Sequence, residues 1–169
     1  MIIRCEKEDD YKEIYELVKT AFETAKLPPD GEADYVNDLR MSDEYIPDFA
    51  LVAEENGKLI GHIMLTKTFI KTEYEKTECL LLSPVCTKLE YRNKGVGAKL
   101  ITEALNRARA AGYKAVFLVG DPNYYGRFGF MKVKNFNISY TMDIEEQYVL
   151  GCELYKNALK GIKGSISIV

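Results

Sequence analysis

The stretch Arg92-Asn93-Lys94-Gly95-Val96-Gly97-Ala98 sets two glycines one residue apart among basic side chains. It joins a β-rich run, from about Thr77 to Thr87, to an amphipathic run from about Gly95 to Ala111. A strand-to-helix junction of this kind offers backbone N–H groups with few bulky side chains over them. The positive end of the helix macrodipole lies at the same place, so the junction suits a phosphate or pyrophosphate. Arg92 and Lys94 add charge, and Lys88 and Lys99 flank them. From Lys88 to Lys99 four basic residues and one acid, Glu90, leave a local balance of +3 in a chain whose formal net charge is −3. A basic island in an acidic chain points to a small anionic cofactor. Two nucleotide loops fit poorly. A dinucleotide-binding turn needs a third glycine three residues after the second, where Leu100 stands, and a Walker loop needs Gly-Lys-Ser/Thr.

Periodicity supplies the elements that must hold this loop. Ile2 to Cys5 reads as a first strand. Ile14, Leu17, Val18, Ala21 and Phe22 form one apolar helical stripe, stopped by Lys26-Leu27-Pro28-Pro29-Asp30-Gly31. A second helix is expected from about Glu32 to Arg40. Strands follow over Ala50 to Glu54 and Lys58 to Lys67, joined through Glu55-Asn56-Gly57, where Asn-Gly suits a tight hairpin. A polar segment, Phe69 to Lys76, precedes the strand that leads into the loop. The helix beyond it carries Val96, Leu100, Ile101, Ala104, Leu105 and Ala108 on one face and stops at Gly112. Ala115 to Val119 is a further strand. Asp121-Pro122 reads as a cap and first residue of a short helix, interrupted by Gly126 and Gly129. Strand-like runs lie around Phe136 to Tyr140 and Tyr148 to Tyr155, before the tail Gly164 to Val169. The order β-α-α-β-β-β-α-β-α-β, with further strand material after it, sets hairpins beside a β-α-β crossover. The expected fold is therefore one α/β domain over residues 1–169 with a mixed, mostly antiparallel sheet.

Composition narrows the function classes. Of 169 residues, 47% are hydrophobic and 29% charged, ordinary globular values that suit one substantial core. Every apolar run is broken within a few residues, so no membrane span is expected. The opening Met1-Ile2-Ile3-Arg4-Cys5-Glu6-Lys7 lacks the apolar stretch of a signal peptide, and a cytoplasmic chain is expected. An isoelectric point near 5.4 disfavours broad nucleic-acid binding. The tyrosines are scattered, without the clustering of a base-stacking platform. Cys5, Cys79, Cys86 and Cys152 show no C-x-x-C spacing and share the chain with a single histidine, His62. That pattern reads as reduced thiols and no metal site.

Two motifs in order resemble the Gcn5-related N-acetyltransferase (GNAT) superfamily. Arg92-Asn93-Lys94-Gly95-Val96-Gly97 matches its Q/R-x-x-G-x-G/A signature at each fixed position. Leu82-Ser83-Pro84-Val85-Cys86-Thr87 resembles the strand that runs beside the pantetheine arm, and Asn123-Tyr124-Tyr125-Gly126-Arg127-Phe128-Gly129-Phe130 resembles the Asn…Tyr-x-x-x-Gly-Phe segment. The agreement covers about Lys58 to Phe130, the expected cofactor-binding core; residues 131–169 are C-terminal strands and tail. Gly120-Asp121-Pro122 ahead of the second motif is similar to the branch of small bacterial acetyltransferases called YhbS-like.

The resemblance implies acetyl-CoA as co-substrate and direct acetyl transfer to a primary amine of a small molecule or peptide, by a monomer or homodimer. It implies that Asn93 to Ala98 hold the diphosphate and that Val85, Cys86 and Thr87 pair with the pantetheine amides, as a peptide adds to a sheet edge. Asn123 and Phe128 line the cofactor in the same scheme. Tyr125 is then the general acid for the departing thiolate, since a phenol of ordinary pKa about 10 still carries its proton at neutral pH. Tyr124 competes for that role, because neighbours on a one-turn helix point about 100° apart. The general base is open among Glu78 at the start of the strand, His62, Glu32 and water. Glu32 and Asp34 are also candidates for selecting a cationic amine. Cys86 has no visible histidine partner to make it a nucleophile. The alternative from another class is a non-catalytic acyl-CoA binding or sensing module.

Overall fold

An Asn-Gly pair makes the first hairpin. In the computed structural model, which describes residues 1–23 and 31–167 apart from the Pro84 side chain, Asn56 and Gly57 take φ of 52° and 77°. These are the two left-handed residues of a tight turn. The turn joins β2 (Tyr45–Glu55) to β3 (Lys58–Lys71) antiparallel, with Glu55 opposite Lys58 and Val52 opposite His62. β1 (Ile2–Cys5) adds antiparallel to β2, from Ile2 opposite Glu54 to Cys5 opposite Leu51. Both β2 and β3 exceed the expected ranges. The extension of β2 lies beyond a register shift between Tyr45 and Ala50, where the alternation that marks a strand is broken. The extension of β3 is held by a distant partner, because Lys71 pairs with Ser165.

β4 (Lys76–Thr87) leads through a one-turn 3-10 helix, Leu89–Tyr91, into α3 (Val96–Ala110); β5 (Ala115–Val119) follows. The expected crossover is present: β5 runs parallel to β4, Leu80 opposite Val116 and Leu81 opposite Phe117. All six residues of the expected stripe on α3 are buried. Gly112, at φ 87°, ends that helix. The hydrogen-bonded strand order is β1-β2-β3-β4-β5-β8-β6; β1 with β2, β2 with β3, β3 with β9, β5 with β8 and β6 with β8 pair antiparallel, and β4 with β5 and β7 with β9 pair parallel. Here β6 is Met131–Lys132, β7 Ser139–Tyr140, β8 Val149–Glu153 and β9 Ser165–Ile166. The two expected C-terminal strand runs shrink to β7 and β8. Asn137 at φ 59° breaks the first, and the chain turns through Glu146–Tyr148 before the second.

Contacts divide the chain into two compact units, Met1–Thr66 with Ser83–Arg107, and Lys67–Leu82 with Ala108–Val169. In the first, α1 (Tyr11–Glu23) and α2 (Glu32–Arg40) bury Ile14, Leu17, Val18, Ala21, Ala33 and Val36 against Ala50, Val52, Leu59, Met64 and Cys86. The expected stop of α1 over Lys26 to Asp30 lies outside the described residues. In the second, Ile70, Cys79, Ala115, Phe117, Val133, Ile138, Val149, Leu159 and Ile166 form the core.

Gly61 of β3 is what lets α3 approach its strand. A β-carbon there would stand 2.8 Å from Leu100 Cδ1, 2.9 Å from Val96 Cγ1 and 3.3 Å from the Cys86 carbonyl oxygen. The first two of those contacts bear on the first turns of α3, the third on β4. Gly61→Ala is therefore expected to cost about 1–3 kcal/mol of stability, read from a urea melt.

The first unit also buries charge. Glu6, at the end of β1, accepts from Arg40 Nε at 2.7 Å and Nη2 at 2.9 Å, from the Tyr45 hydroxyl at 2.9 Å, and lies 3.0 Å from His62 Nε2. The Arg40 guanidinium also lies 4.0 Å from the centre of the Tyr11 ring. Burial alone would raise the Glu6 pKa, but the hydrogen bonds from Arg40 and His62 hold it at about 2. A carboxylate lowered on folding adds stability that is complete above its ordinary value near 4.5 and is lost as pH falls through about 2. Glu6→Gln leaves Arg40 buried without its counter-charge and should cost about 3–5 kcal/mol near pH 7. The gap in urea midpoint between parent and variant should narrow between pH 4.5 and 2; a constant gap would mean that Glu6 is not the titrating group.

Candidate acetyl-CoA site

The loop after β4 has the features of an anion seat, and each has a local cause. The Lys88 N–H donates to the Ile60 carbonyl at 2.8 Å, fixing the end of β4 on β3. Tyr91 N–H to Lys88 carbonyl at 2.8 Å and Arg92 N–H to Leu89 carbonyl at 3.3 Å close the 3-10 turn. Asn93 and Gly95 then take φ of 61° and 82°. Left-handed residues alternating with others turn successive N–H groups toward one side, which makes a concave anion nest. A β-carbon on Gly95 would meet nothing within 4 Å, so glycine is needed there for its backbone angle rather than for room. The first i to i−4 bond of α3 is Lys99 N–H to Gly95 carbonyl at 3.0 Å. The N–H groups of Val96, Gly97 and Ala98 precede it and have no intrahelical acceptor. Asn93, Lys94 and Gly95 are exposed, and Gly97 and Ala98 half-buried.

The basic side chains differ in what they do. The Lys94 ammonium lies 5.4 Å from the centre of the Tyr91 ring, at the loop surface. Arg92, expected to add charge to the loop, sends Nη2 to the Ala21 carbonyl at 2.9 Å and fastens the loop to α1. On β4, Val85 and Thr87 are half-buried. Cys86 is buried, and burial pushes its thiol up to about 12, so it is an inert core thiol.

The second motif folds within the other unit. Asp121 caps α4 (Pro122–Tyr125): its Oδ1 accepts from the Asn123 N–H at 2.9 Å, with proline at the first helical position. The Asn123 side chain is exposed. The two candidate tyrosines touch edge-on and differ in what else they meet. Tyr124 lies edge-on to Phe128 at 5.6 Å, and the Arg127 guanidinium sits 4.8 Å from its ring centre. Tyr125 turns inward, edge-on to Tyr124 at 4.9 Å and to Phe130 at 5.9 Å. Burial pushes its hydroxyl up to about 12, so it keeps its proton throughout the neutral range.

Of the candidate bases, Glu78 is exposed near the start of β4 and hydrogen-bonds the Tyr113 hydroxyl in the same unit. His62 is fully buried on Glu6, the structural histidine of the ion-pair network. Asp34 accepts from the Tyr15 hydroxyl at 2.9 Å. Glu32 is half-buried on α2, and burial raises its pKa. The same helix carries Tyr35, which hydrogen-bonds Ser83 of β4. Among the described residues no three His, Cys, Asp or Glu side chains are grouped to hold a metal ion, and no helix is long and apolar enough to cross a membrane. The close packing at Gly61, and at Gly120 of the branch motif, is not among the expectations from sequence. A glycine inside a strand pattern was the available signal for the first.

Comparison with known proteins agrees with this geometry. The profile of the acetyltransferase (GNAT) domain matches residues 3–133. The uncharacterised N-acetyltransferase YjhQ of Escherichia coli is 34% identical over 121 residues, 72% of this chain and 64% of its own length. The aligned part thus spans just under two thirds of that relative. The uncharacterised N-acetyltransferase YhbS of Escherichia coli is 28% identical over 166 residues, 98% of this chain and 95% of its own. A crystal structure of YhbS in complex with CoA superposes with a TM-score of 0.85 over 99% of this chain and 89% of that one, at 28% identity. A GNAT acetyltransferase from Brucella melitensis in complex with acetyl-CoA gives 0.80 over 99% and 95%, at 27% identity. With the profile covering most of the chain and the fold shared from end to end, the chain belongs to the Gcn5-related N-acetyltransferase family.

Proposed function

We propose that the protein moves an acetyl group from acetyl-CoA to a primary amine of a small molecule or peptide by direct attack. The amide nest at the start of α3, with φ of 61° at Asn93 and 82° at Gly95, is the observation that carries the reading. It suits the diphosphate of CoA, and the relatives crystallised with CoA and acetyl-CoA support that ligand. Val85, Cys86 and Thr87 would pair with the pantetheine amides through their main chain. Lys94 adds a charge at the surface of the nest, and Asn123 and Phe128 belong to the cofactor wall. The relatives from Escherichia coli support a bacterial source.

In the reaction the amine nitrogen attacks the acetyl carbonyl, a C–N bond forms and the C–S bond breaks. Holding both reactants at one place supplies much of the rate gain. Main-chain N–H groups of the cofactor strand would meet the oxyanion as it forms. Tyr125 protonates the leaving thiolate, and the desolvation that raises its pKa to about 12 keeps the proton on the phenol in the neutral range. The amine's proton passes to water or to Glu78, an exposed carboxylate of β4.

Thiol release from acetyl-CoA, measured across polyamines, aminoglycosides, amino acids and peptide N-termini, tests this reading. Turnover on at least one amine is expected. Tyr125→Phe should lower kcat at least ~10-fold while acetyl-CoA affinity stays within about twofold. Tight acetyl-CoA binding with no turnover on any amine, unchanged by Tyr125→Phe, would indicate a sensor instead of an enzyme.

A further inference from the structure

Gly120, the residue after β5, has no backbone reason to be glycine. Its φ is not among the positive values, and its N–H donates to the Tyr148 carbonyl at 2.9 Å in a geometry open to any L residue. The reason lies in what stands beside it. A β-carbon on Gly120 would fall 2.6 Å from Cε2 and 3.0 Å from Cδ2 of Tyr125, and 3.1 Å from Leu118 Cδ1. The Tyr125 ring fills the volume that any other residue would need. Gly126, at the end of the same one-turn helix, faces open space and offers a contrast.

The remaining walls hold the ring from other sides. Tyr124 meets it edge-on with 80° between the planes, and Phe130 does so at 71°. The Tyr125 N–H donates to the Asp121 carbonyl at 3.0 Å, so the backbone that bears the ring is tied to the residue next to Gly120. With those walls in place, an added β-carbon forces the ring to shift. It must rotate off its rotamer or carry the one-turn helix outward.

We propose that Gly120 is a positioning residue for acetyl transfer: its missing β-carbon is the seat that aims the Tyr125 phenol. The inference rests on the reading of Tyr125 as the acid that protonates sulfur. Proton donation is sensitive to placement, because a misplacement of about 1 Å can cost on the order of 100-fold in rate.

The test is a cycle of four proteins: parent, Gly120→Ala, Tyr125→Phe and the double variant, with Gly126→Ala as a steric control. Gly120→Ala should lower kcat ~5–20-fold, leave KM for acetyl-CoA within about twofold, and cost nothing further in the Tyr125→Phe background. Gly126→Ala should keep parental kcat. An equal kcat loss from Gly120→Ala in both backgrounds, or no loss in either, overturns the proposal. If Tyr125→Phe alone keeps full kcat, the acid reading fails, and this inference fails with it. A seat that holds while that reading fails is separated by melting temperature. Gly120→Ala should lower it beside Tyr125, and the loss should vanish beside Tyr125→Ala, where the ring no longer competes for space. That second pair also decides the matter if Gly120→Ala alone does not fold, since a loss that persists without the ring rules out the seat.

Discussion

Unpaired amides at the N-terminus of α3 are the feature on which the rest of the site depends. A helix begins with N–H groups that its own carbonyls cannot reach, and here the preceding loop adds left-handed turns at Asn93 and Gly95 that gather more of them. Such a seat works only if the helix start is held still. Three contacts do this from different directions. The end of β4 is bonded to Ile60, the Arg92 guanidinium reaches the Ala21 carbonyl of α1, and bare Gly61 admits Val96 and Leu100 close to the strand. Much of the first unit is in this sense a support for one turn of backbone.

The buried ion-pair network belongs to the same support. Glu6, Arg40, Tyr45 and His62 tie the end of β1, the last turn of α2, the start of β2 and the middle of β3 to one carboxylate. A charge buried this deeply is tolerated because each oxygen of the Glu6 carboxylate has two polar partners. It absorbs the chain's single histidine into structure, which leaves proton transfer in the proposed mechanism to a phenol and to carboxylate or water.

Much of this was legible in the sequence where the cause is local. The glycine spacing, the stripe on α3, the Asn56-Gly57 hairpin and the Asp121-Pro122 cap each depend on residues within one or two turns of each other, and each is found as expected. The inward turn of Tyr125 rather than Tyr124 was not legible, because it is set by Gly120 and Phe130 acting on the ring. Gly61 depends on Val96 and Leu100, more than thirty positions away. Arg92 reads as charge for a ligand, yet its hydrogen bond goes to a carbonyl 71 positions earlier. The lengths of β2 and β3 escaped for the same reason: one continues past a register shift, the other is held by the C-terminal β9. Local spacing reveals which groups can do chemistry, and distant packing decides which of them are free to do it.

The most direct measurement of the central claim is the backbone amide spectrum of the nitrogen-15 labelled protein, titrated with CoA and separately with pantetheine, which has the same arm without the diphosphate. CoA is expected to shift the amides of Gly95, Val96, Gly97 and Ala98 at saturation, and pantetheine at equal concentration to leave them nearly unmoved. Amides that stay in place with CoA, or that respond equally to pantetheine, would contradict that claim.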